Sequence, residues 1–127
     1  MKNKFAFAVI LAFVFFQTGC EQKPPTDLSK TSFIPQPVSI DVTGSSIKLT
    51  ESSTIYFEDG VEGLETVAEY LSSEINRISG MNLSVEATNE TPKSGVYFTS
   101  SNEDAELDKE GYELNIGKKL ISVKSNG

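Results

Sequence analysis

The apolar positions of this chain fall into three textures. Phe5 to Phe16 is an unbroken apolar run of twelve residues. A transmembrane helix needs about 20, so the run fits the apolar core of a secretory signal better than a membrane span. Glu21 to Ser32 (EQKPPTDLSKTS) then has no apolar period and carries Pro24-Pro25. It reads as an extended polar tether. From Phe33 onward, short apolar alternations are separated by turn residues.

Val38, Ile40 and Val42 alternate, Thr43 to Ser46 interrupts, and Ile47 and Leu49 alternate again. Thr54-Ile55-Tyr56-Phe57 is β-branched and aromatic and ends at Asp59-Gly60. These segments predict three strands, the first two joined like a hairpin. The period then changes. Leu64, Val67, Ala68, Leu71, Ile75 and Ile78 define one apolar stripe of a helix. Asp59 with Glu62 is the expected capping pair, and Gly80 stands where a helix is released. Alternation resumes in Leu83-Val85-Ala87, Val96-Phe98, Tyr112-Leu114-Ile116 and Leu120-Ile121-Val123.

The predicted order is βββ-α-ββββ, an α+β fold with a mostly antiparallel sheet and one helix packed on one face. About 95 residues suffice for a small core. A sheet of this size with a single helix has apolar surface to spare, which predicts a missing covering segment. The expected organisation is a signal over residues 1–19, an anchor and tether over 20–32, and a folded domain over 33–127.

Composition narrows the chemistry. The 127 residues include no His and one Cys. This removes imidazole bases, Cys-His nucleophiles, His-ligated zinc, intrachain disulfides and CxxC redox pairs. The net charge of −7 disfavours nucleic acid. Loss of Lys2 and Lys4 with a cleaved signal leaves 9 basic against 18 acidic side chains, a net of −9. No cofactor or metal is expected. The acidic stretch Glu103 to Glu110 lacks the spacing of an EF-hand loop. The sequons at Asn82 and Asn89 read as chance matches, and the doublets Glu58-Asp59 and Glu103-Asp104 as solvated charges.

Lys2, Lys4, the apolar run and Gly19-Cys20 together resemble a bacterial lipoprotein signal, in which the Cys is lipidated and becomes the new N-terminus. The resemblance implies lipid attachment at Cys20, the membrane as a partner and a place in the cell envelope. An ordinary secretory signal followed by an incidental Cys is the other reading.

Phe33-Ile34-Pro35-Gln36-Pro37-Val38-Ser39 is similar to the "IPxPxS" opening of the N-terminal domain of glycoside hydrolase family 20, the β-N-acetylhexosaminidases. Leu49-Thr50, Thr54-Ile55-Tyr56 and the amphipathic helix continue the likeness. Ile78-Ser79-Gly80 with Leu83-Ser84-Val85 resembles the family's helix exit, and Gly111 to Ile116 its "GYxLxV" strand. Leu120 to Ser125 resembles the strand that follows. Exo-glycosidases of families 84 and 67 carry a domain of similar shape.

The resemblance implies a non-catalytic domain, then a second helix beside the first, then a (β/α)8 barrel with an adjacent Asp-Glu pair. In that barrel the substrate's acetamido group attacks the anomeric carbon, the substrate-assisted route. No such motif occurs in these 127 residues, so no catalytic residue is expected. The chain then reads as the inactive front part of a hexosaminidase that removes terminal N-acetylhexosamine from glycans. The other expectation is a self-standing lipid-anchored binding or structural module.

Overall fold

A computed structural model describes residues 30–32, 36–101 and 111–126 of the chain. Five strands and one helix follow one another as β1 (Thr54–Glu58), α1 (Leu64–Ser79), β2 (Ser84–Thr88), β3 (Gly95–Ser101), β4 (Tyr112–Ile116) and β5 (Leu120–Asn126). They form one sheet of spatial order β2-β1-β3-β5-β4. The fold is α+β, as expected.

The sheet is mixed, which corrects the antiparallel expectation. β1 pairs in parallel with β2 and β3, and β3 with β5; only β4 and β5 are antiparallel. The cause is the crossover. β1, α1 and β2 form a βαβ unit, in which the helix carries the chain back to start the neighbouring strand in the same direction.

A second correction concerns the first two expected strands. Val38 to Val42 and Ile47 to Leu49 form no strand. Val38 and Val42 are exposed, and an isolated hairpin is at best marginal in water. Gly44 does turn the chain, at φ 67°. Leu49 packs against the core without joining the sheet.

Helix α1 begins after Gly63, at φ 87°, with no side-chain cap, so the expected Asp59–Glu62 capping pair does not form. Gly80 ends it at φ 75°, and its N–H donates to the Asn76 carbonyl at 2.8 Å. This is the expected glycine release, because a left-handed residue satisfies a carbonyl of the last turn.

The core lies between α1 and the sheet. Ile55, Ala68, Leu83, Val96 and Phe98 are buried, and Leu64, Leu71 and Ile75 pack against them. The paired registers put Ile55, Phe57, Val85, Val96, Phe98, Ile121 and Val123 on this one face. The opposite face carries Thr54, Tyr56, Glu58, Tyr97 and Thr99.

Candidate functional site

The site follows from what one helix is able to cover. α1 lies over β1, β2 and β3, and its backbone does not come close to β5 or β4. In the antiparallel pair, Tyr112, Leu114 and Ile116 stand opposite Ser125, Val123 and Ile121, which puts them on the helix-bearing face. Tyr112 and Leu114 are 57% and 52% exposed, too much for core residues.

The flank of α1 beside this strip also carries exposed apolar residues. Ser72 donates to the Leu83 carbonyl at 2.9 Å, and Asn76 to Asn82 at 2.7 Å. These bonds hold one flank toward β2. Helical spacing puts Val67, Tyr70 and Ile78 on the opposite flank, toward β5. All three are exposed, Ile78 at 75%. The expected core stripe is therefore corrected at Val67 and Ile78: Leu64, Ala68, Leu71 and Ile75 pack inward, and the other two border an open trough. Two strands at about 4.8 Å spacing and a helix diameter of about 10 Å match in width, so the trough suits one further helix.

Carboxylate chemistry finds no constellation here. Glu58 accepts hydrogen bonds from the Thr99 hydroxyl at 2.5 Å and the Ser100 N–H at 3.0 Å. The Thr99 bond, then the Ser100 bond, lower its pKa against a smaller opposing effect of burial. Asp59 beside it is exposed. Glu58 thus acts as a tie between the ends of β1 and β3. The bonds favour the ionised form in the folded chain. Their stabilisation is present above the ordinary Glu pKa and is lost as pH falls through the lowered folded value. Thr99→Val is expected to flatten the loss of stability on acidification below about pH 4.5, the ordinary Glu value. Unfolding curves across pH check this; an unchanged acid limb contradicts it.

Among the described residues no group of three His, Cys, Asp or Glu is placed to hold a metal. None of their helices is long and apolar enough to cross a membrane. Cys20, the signal segment, most of the tether, Phe33 to Pro35 and the Glu103-Asp104 stretch lie outside the described residues.

The fold is a small α+β module with one uncovered apolar strip, and no catalytic groups are assembled among the described residues. A family model described as glycosyl hydrolase family 20, domain 2, matches residues 30–127. The chain belongs to that family and is its non-catalytic accessory domain. No curated protein matches the chain.

Proposed function

We infer that this chain is the N-terminal part of a lipid-anchored β-N-acetylhexosaminidase. The complete enzyme would carry its active site in a following barrel and remove terminal N-acetylhexosamine by substrate-assisted catalysis. The observation that carries the reading is the family match over residues 30–127. The trough beside α1 supports it, because the family resemblance implies a second helix at that position. In this reading the domain is a packing element, and residues 20–32 hold it off the membrane through lipid on Cys20.

Purified chain is expected to show no turnover of an aryl N-acetylglucosaminide. Clear hydrolysis by homogeneous material would overturn the reading. Lipid attachment has its own test. Cys20→Ala is expected to move the protein out of the membrane fraction, and retention there would refute the anchor. The trough is expected to bind a hydrophobic dye in the folded state, because exposed apolar patches of this kind do so. Leu114→Asp should reduce the dye signal while changing stability by less than about 0.5 kcal/mol, as surface substitutions do.

A further inference from the structure

A second concave feature lies at the other functional extreme of charge. At the amino-terminal ends of the parallel strands β1, β3 and β5 is a cleft of about 410 Å³. Lys48, Lys118 and Lys119 line it together with Ser53, Tyr56 and Gly95. Among the described residues no carboxylate lines it, although the chain as a whole carries −7. The three ammonium groups have no ion-pair partner among the described residues.

The lysines come from distant parts of the chain, and backbone bonds hold two of them in place. The Gly117 N–H donates to the Leu120 carbonyl at 2.9 Å, closing the turn that carries Lys118 and Lys119. The Gly95 N–H donates to the Lys119 carbonyl at 2.9 Å, tying that turn to the start of β3. On the other wall, Ser53 accepts from the Thr50 N–H at 3.0 Å, which leaves its own O–H free to donate. The cleft is therefore lined by three donor-only ammonium groups and by hydroxyls able to donate. Ammonium groups have three donors and no acceptor, and hydroxyls add more.

Three like charges lining one cleft favour a multivalent anion over a singly charged one. A phosphoryl group fits better than a carboxylate, since it carries nearly two charges and three acceptor oxygens for lysine point charges to share. The volume lies within the range of about 300–1,000 Å³ common for small-ligand pockets. We propose that the Lys48–Lys118–Lys119 cleft binds a phosphoryl group, either free in solution or on a lipid headgroup. This goes beyond the accessory role and does not depend on it.

The test uses the full chain in phosphatidylcholine nanodiscs, titrated with pyrophosphate and followed by amide NMR. Saturable shifts are expected at Ser53, Gly95, Lys118 and Lys119. K118E and K119E should each weaken binding by about tenfold, the loss of one charge-assisted contact. R77E, with the same charge change on α1 and a side chain outside the cleft, should leave affinity unchanged. If K118E loses its dispersed spectrum, K118Q makes the same comparison with a smaller loss.

A second arm replaces part of the phosphatidylcholine with phosphatidylglycerol. Selective broadening of the cleft amides there, relieved by K118E, assigns the phosphoryl group to lipid. Pyrophosphate shifts without such broadening assign it to a soluble ligand. Shifts in neither arm, scattered unsaturable shifts, or equal weakening by R77E and K118E would overturn the proposal.

Discussion

Gly95→Ala is expected to destabilise the domain by about 3–5 kcal/mol, a large part of the 5–15 kcal/mol that usually holds a domain together. Two independent costs add at this position. Gly95 has φ 108°, where a side chain is strained. A Cβ built there would also lie 2.3 Å from the Thr54 carbonyl oxygen. That atom is backbone and belongs to the first residue of β1, so neither partner is able to rotate away. Relief requires β1 and β3 to part at their amino-terminal ends, where β5 is also tied through Lys119. Urea unfolding gives the size of the effect. A loss below about 1 kcal/mol would show that the strands are spaced differently.

Ile55→Ala is the second large effect, with an expected loss of about 3–4 kcal/mol. Ile55 is fully buried and is the largest side chain so enclosed. It sits on β1 between Val85 of β2 and Val96 of β3, under α1. Its neighbours on β2 and β3 are fixed by sheet pairing, so the cavity has little means of collapse. The cost therefore includes an unfilled void as well as lost burial. By contrast, the same substitution at Ile78 should cost well under 1 kcal/mol, because Ile78 already faces solvent. The ratio between the two isoleucines tests the split of the apolar stripe into core and trough, and equal losses would contradict it.

Much of this architecture was legible as periodicity. The switch from alternation to helical spacing at Leu64 and back at Leu83 marks α1 and the strands around it. Strand direction was not legible in the same way. Alternation records that one face is buried, and it holds for parallel and antiparallel neighbours alike. The available signal was the order β1-α1-β2, a strand, a sixteen-residue helix and a strand, which favours a parallel crossover.

The site was legible only as a deficit. The expectation of spare apolar sheet surface agrees with exposed Tyr112 and Leu114. Val67 and Ile78 could not be separated from Ala68 by spacing, because a helix that packs on two surfaces shows one broad stripe. Val38, Ile40 and Val42 show the converse, alternation in a segment that joins no strand of the sheet. The lysine cleft had no sequence signal at all. Lys48 lies far along the chain from Lys118 and Lys119, and only the β1-β3-β5 pairing brings their elements to one end of the sheet.

We propose that this domain belongs to a larger hexosaminidase and carries none of its chemistry. Sequencing the transcript beyond codon 127 tests it most directly. An open frame is expected that encodes an amphipathic helix, to cover Leu114, Tyr112 and the Val67–Ile78 flank, and then a barrel with an adjacent Asp-Glu pair. A stop codon directly after Gly127 on the mature transcript, in cells that make the protein, would contradict it.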